Sequence, residues 1–108
     1  MTGAAAIATV YAVFGSEDEA RRIGWAMVEE GLAACVNILG PCRSIYRWRG
    51  TVEEAEEAPA LFKTRADAAS ALIARIAELH SYEVPAIAVC PIDEAWPDYA
   101  AWVCDTVI

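Results

Sequence analysis

Histidine is almost absent from this sequence: His80 is the only one in 108 residues, so no histidine-based ligand spacing can be read from it. Positive charge is scarce as well. Eight Lys and Arg stand against sixteen Asp and Glu, a net charge of −8. A phosphate-binding surface needs a basic patch, so nucleic acid is excluded as a partner and a metal cation is the easier ion to attract. Cys35, Cys42, Cys90 and Cys104 contain no CxxC pair. They are expected as free thiols in a reducing compartment, each first a small buried apolar residue. There is no Gly-rich phosphate loop, no Ser-His-Asp signature and no paired-acid motif, and the chain is not expected to be an enzyme. Cys35 and His80 would serve as nucleophile and base only if the fold brought them together. No apolar run is long enough to cross a bilayer, and the opening MTGAAAIATVYAVF carries no basic leader. No membrane partner and a cytoplasmic location are therefore expected. Internal repeats and low-complexity segments are also missing.

What is present in quantity is apolar side chain, 57% of the residues. A chain of this length is one domain, residues 1–108, and so much apolar content leaves surface to bury against another copy. The stretch Leu32–Gly50, LAACVNILGPCRSIYRWRG, has the form of one long strand bent at Gly40-Pro41. Beyond the bend Ser44, Tyr46 and Trp48 alternate with Arg43, Ile45, Arg47 and Arg49, the period of two of a pleated strand. Gly50-Thr51 is expected to turn the chain. The next segment, Val52–Lys63, would then return antiparallel, with Glu53, Glu54, Glu56 and Glu57 facing the arginines.

Elsewhere strands and helices alternate. Ala5–Phe14 is a continuous apolar run expected to be a strand buried on both faces. Ser16 with Glu19 forms a capping box for a helix whose stripe is Ala20, Ile23 and Met27, widened by Trp25, Val28 and Leu32, with Gly31 closing it. Thr64 with Asp67 offers a second capping pair, and Leu72, Ile73, Ile76 and Leu79 continue at helical spacing to His80. Ser81–Pro85 breaks that helix. Ala86–Ile92 is a short strand with Pro91 at an edge or end, and Pro97 opens a last helix carrying Tyr99, Trp102 and Val103 on one side. The order predicts an α+β chain, a ferredoxin-like βαββαβ antiparallel sheet with an extra C-terminal helix.

Five segments together resemble the CutA family of divalent-ion tolerance proteins: Leu32–Asn37, Ser44–Gly50, Leu61–Thr64, His80–Pro85 and Pro97–Trp102. The resemblance implies a ferredoxin-like protomer in a tight homotrimer, a part in tolerance of copper and other divalent cations, and the cytoplasm. It also implies that Trp48, Lys63 and Tyr82, with Glu83, line a cleft between subunits. Copper-associated bacterial members carry a cysteine where Ala12 stands and a histidine pair where Leu79-His80 stands. Ser81, Ala86 and Trp96 are further departures, the last two replacing a common glutamate and asparagine.

From these strands the candidate residues follow. His80 is a helix-terminal histidine that hydrogen-bonds locally, or a ligand for a borderline metal joined by a thiolate such as Cys35 or a carboxylate such as Glu83. A divalent metal, copper or zinc, is expected as something the protein binds, with none required for folding. Tyr46, Trp48 and Val52 on the hairpin are expected at the trimer interface. The alternative function is a small-molecule-binding, PII-like signalling trimer whose anionic ligand sits between subunits.

Overall fold

A computed structural model of the chain describes residues 6–108. Its elements, in order, are β1 (Ile7–Phe14), α1 (Glu17–Glu29), β2 (Cys35–Ile38), β3 (Cys42–Trp48), β4 (Thr51–Arg65), α2 (Ala69–Leu79), β5 (Ile87–Pro91) and α3 (Pro97–Thr106), with a short 3-10 turn at Ala66–Ala68. The sheet is antiparallel in the order β2-β4-β1-β5, and β3 pairs with the far half of β4. Counting β2 and β3 as one strand interrupted at Leu39–Pro41, this is the expected βαββαβ order with an added helix. Ala5, the expected start of the first strand, lies outside the described residues.

Both α1 and α2 lie on one face of the sheet, where Phe14, Phe62, Ile23, Met27, Leu72 and Ile76 are fully buried. The first strand is covered along its whole length on that side, where Ala8, Val10, Ala12 and Phe14 are buried. On its other side Ile7 and Val13 are buried, whereas Thr9 is half-buried and Tyr11 exposed. The expectation of burial on both faces holds at the two ends of the strand and fails at Thr9 and Tyr11, because both α1 and α2 lie on one side and leave the middle of the other side open. The open face carries Thr9, Tyr11, Leu61, Lys63, Cys35 and Asn37, neighbours across the β1, β4 and β2 ladders. α3 closes one end of the sheet with Val103, packed in a small cluster with Ile7, Ala34 and Val107.

The helix ends differ from the sequence pattern in instructive ways. Ser16 accepts from the Glu19 N–H at 3.1 Å, as a cap should. The Glu19 carboxylate, however, does not close the box; it crosses to Ser81. At the other end Gly31, at φ +77°, takes the left-handed position of a Schellman motif, with Leu32 N bonded to Met27 O and Gly31 N to Val28 O. The Thr64–Asp67 capping pair does not form. Thr64 lies within β4 and donates to Leu32 O at 2.8 Å, Asp67 pairs with Arg65, and α2 has no side-chain cap. Trp25 and Val28 stand away from the buried stripe, Trp25 at 74% exposure.

The β3–β4 hairpin projects from the body and makes the chain 51 Å long against 25 by 23 Å across. Its turn is Arg49-Gly50, one residue earlier than expected, with both residues at positive φ (51° and 84°) and Trp48 paired to Thr51. A two-residue turn of this kind matches strand twist, and glycine at its second position suits it. The earlier turn shifts the register by two residues and leaves the faces as alternation sets them. Tyr46 faces Glu53 and Cys42 faces Glu57 on one side, while Arg43 faces Glu56, Ile45 faces Glu54 and Arg47 faces Val52 on the other. Only half of the acidic run therefore lies with the arginines. Arg49 leaves the ladder altogether.

Candidate functional site

The feature with the most chemistry is a cleft of about 810 Å³ between the hairpin, the open side of β1 and the Ser81–Ala86 loop. Strand alternation aims Ser44, Tyr46 and Trp48 into it from β3, Glu53 and Glu57 from β4, and Tyr11 and Val13 from β1. Tyr82 holds the loop in place. Its hydroxyl donates to Glu57 Oε2 at 2.6 Å, and its ring lies so close to Gly15 that a Cβ there would meet the Tyr82 oxygen at 3.0 Å. Burial raises the Tyr82 hydroxyl above its usual range, and its bond to the Glu57 carboxylate raises it further. Tyr46 is raised too, first by burial and then by the charges of Glu53 and Glu57. The cleft is therefore a region of negative potential with aromatic walls.

Behind the cleft lies His80. Its side chain is fully buried, its ring stacks on Phe14 with centroids 5.0 Å apart, and Nε2 sits 2.7 Å from Val13 O. Nδ1 accepts from the Tyr82 N–H at 3.1 Å. Since a backbone carbonyl only accepts and a backbone N–H only donates, the ring is the neutral tautomer with its proton on Nε2. Both nitrogens are used. Glu19 Oε2 approaches Nδ1 at 3.8 Å while accepting from Ser81 N at 2.8 Å, and Glu19 Oε1 accepts from Ser81 Oγ at 3.0 Å.

Burial alone would raise the Glu19 carboxyl, but the Ser81 N–H and hydroxyl, with the Gly15 N–H, outweigh it and hold the group below its ordinary value. A depressed carboxyl contributes stability that is full above the unfolded-state value and is lost as pH falls through the folded-state value. Glu19→Gln should accordingly be less stable than the parent near neutrality, with the difference shrinking on acidification. Urea midpoints between about pH 3 and 7 test this, and two parallel curves would refute it.

The structure separates the residues proposed as metal ligands. His80 is spent on β1 and the loop, Glu83 is exposed and paired with Arg49 at 2.9 Å, and Cys35 lies on the open sheet face with Sγ 3.5 Å from the Tyr99 hydroxyl. Burial and the Cys35 thiol push Tyr99 up to about 12. Among the described residues no three His, Cys, Asp or Glu side chains gather as a metal site, and Cys35 and His80 belong to different places, so no nucleophile-base pair forms within the chain. Of the expected pocket residues, Trp48 and Tyr82 line the cleft. Lys63 does not; its ammonium bonds Asn37 Oδ1 and Leu61 O on the open face. Of the expected interface residues, Tyr46 and Trp48 share the cleft side, while Val52, 58% exposed, stands on the other with Arg47. Sequence reading misses Glu57 and Glu19 as site residues. Each has a sufficient local role in its own element, and only the fold brings Tyr82 and Ser81 to them.

A projecting antiparallel hairpin over a cleft on the open side of a helix-backed sheet defines a small α+β protein of the split βαβ kind. The chain belongs to the CutA1 divalent ion tolerance protein family, whose model matches residues 8–106. A divalent-cation tolerance protein CutA of Thermus thermophilus is 48% identical over 88 residues, covering 82% of this chain and 85% of that one. Among solved structures, that of a divalent cation tolerance protein from Thermus thermophilus superposes with a TM-score of 0.89 at 42% identity, over 94% of this chain and 98% of the other. One described as the periplasmic divalent cation tolerance protein CutA from Archaeoglobus fulgidus gives 0.91 at 33% identity, over 94% and 99%. Among the described residues no helix is long and apolar enough to cross a membrane.

Proposed function

We propose that the chain acts in divalent-cation tolerance as a homotrimer that binds copper or zinc, with no catalytic step of its own. The observation that carries this is uncovered apolar surface on a chain matched to the family along nearly its whole length. Ile45 and Val52 on one side of the hairpin, Tyr46 on the other and Tyr11 on the open sheet face are all exposed in the single chain. A two-stranded ribbon is marginal alone, and a closed ring of identical copies covers such surfaces without leaving an edge. Because His80 is engaged and no cluster forms among the described residues of one chain, ligands for the metal are supplied from more than one subunit, with exposed Glu83 and half-buried Cys35 as contributors. Four free thiols favour the cytoplasm over an oxidising compartment.

Tag-free protein should sediment as a trimer and take up copper or zinc with a Kd below about a millimolar, with metal content read by plasma mass spectrometry. A monomer at micromolar concentration, or no divalent ion bound in that range, overturns the proposal. The anionic-metabolite alternative is disfavoured by Glu53 and Glu57 in the cleft wall.

A further inference from the structure

We infer that the cleft under the hairpin is a binding site for a small organic cation, an alkylammonium or guanidinium group, held by the Tyr46, Trp48 and Tyr82 rings and the Glu53 and Glu57 carboxylates. The volume of about 810 Å³ is that of a small-molecule site. Its walls combine the two groups that select a soft organic cation over other ligands: ring faces, which attract a weakly hydrated positive charge, and carboxylates, which repel anions. The chain already displays this chemistry at the rim. The Arg49 guanidinium stands 5.2 Å from the Trp48 ring centroid and pairs with Glu83 at 2.9 Å. Along the cleft wall, exposed Glu53 and buried Glu57 have no cationic partner among the described residues. Arg47, which borders the cleft from the other side of the ribbon, donates to Gly50 O in the turn at 3.0 Å. Glu57 bonds the Tyr82 hydroxyl, which fixes the carboxylate in place without neutralising it.

The inference rests on the trimeric reading only for an outer wall, since a neighbour covering the hairpin would close the cleft. Floor and side walls come from one chain. It differs from divalent-metal binding in what it demands, namely aromatic faces as well as charge.

Titration of the full chain with tetramethylammonium, followed by heteronuclear NMR shifts, provides the test, with tert-butanol as the uncharged isostere. The cation should bind roughly tenfold more tightly than tert-butanol, with shifts centred on Tyr46, Trp48 and Tyr82, and Glu53→Gln or Tyr46→Leu should each weaken it several-fold. Both substitutions lie at exposed positions and spare the Glu57–Tyr82 bond. Equal binding of the two isosteres would reduce the site to an apolar cleft and overturn the inference. So would absence of binding up to about 10 mM, or shifts at these rings with zinc but none with tetramethylammonium. Sedimentation of the same samples keeps the two proposals apart: a trimer that ignores the cation refutes only the cation site, and a monomer refutes only the trimer.

Discussion

Replacing Trp48 by alanine is expected to turn a species of three times 11.6 kDa into one sedimenting near the single-chain mass at micromolar concentration. In the lone chain Trp48 is only half-buried and Tyr46 beside it is 39% exposed, so neither contributes fully to the stability of one subunit. The hairpin that carries them extends away from the helix-backed core, and its own ladder is no more than marginally stable in water. If a neighbour covers the indole, truncation removes a large buried ring and leaves a cavity, at a cost of about 3 to 5 kcal/mol per site. A closed ring repeats that loss at every subunit. Val52→Ser, on the opposite side of the ribbon, separates the two faces: a comparable loss would show that a neighbour grips both. An unchanged trimer with an unchanged urea midpoint in Trp48→Ala would show that the aromatic side of the hairpin is not the covered surface.

His80→Ala should lower the unfolding free energy by about 2 to 4 kcal/mol, read from urea denaturation of the intact protein. The residue joins three parts of the fold through four contacts. Its backbone N–H ends α2 on Ile76 O, Nε2 donates to β1 at Val13 O, Nδ1 accepts from the Tyr82 N–H, and the ring stacks on Phe14. Two buried hydrogen bonds contribute about 1 kcal/mol each, and deletion of the ring leaves their backbone partners unsatisfied beside a void. The same change should loosen the Ser81–Ala86 loop, because Tyr82 loses its N–H anchor and keeps only the bond to Glu57. Faster amide exchange at Tyr82 would register that step. Stability equal to the parent would mean that the histidine is not the pin the geometry makes it.

The elements themselves were legible. Alternation marked β3, the apolar stripe of Ala20, Ile23 and Met27 marked the buried side of α1, and Gly31 marked its end; these are local patterns whose period or φ requirement belongs to the residues concerned. The break at Gly40-Pro41 was also local, and it does divide one long strand into β2 and β3. Legibility failed where a side chain had two partners to choose from. Glu19 at the third helical position could reach back to its own cap or across to Ser81, and the choice depends on α2 ending beside α1. Thr64 and Asp67 have capping spacing, yet β4 runs on through Thr64 because Phe62 and Thr64 are needed as buried residues of its helix-side face.

The sequence by itself determined that this is a single acidic α+β chain of βαββαβ order, with a projecting hairpin carrying alternate aromatic and basic residues, and the motifs that mark its family. Periodicity, capping residues and composition carry that much because each acts over a few neighbouring positions. Tertiary structure alone decided which groups meet. It spent both nitrogens of His80 on backbone from β1 and the loop, and it set Lys63 on the open face and not in the cleft. It also brought Tyr82 of the loop to Glu57, on the hairpin side that Tyr46 and Glu53 share, while Glu54 and Glu56 lie with the arginines. Alternation along a strand is local, but no local rule reports on a partner more than twenty positions away.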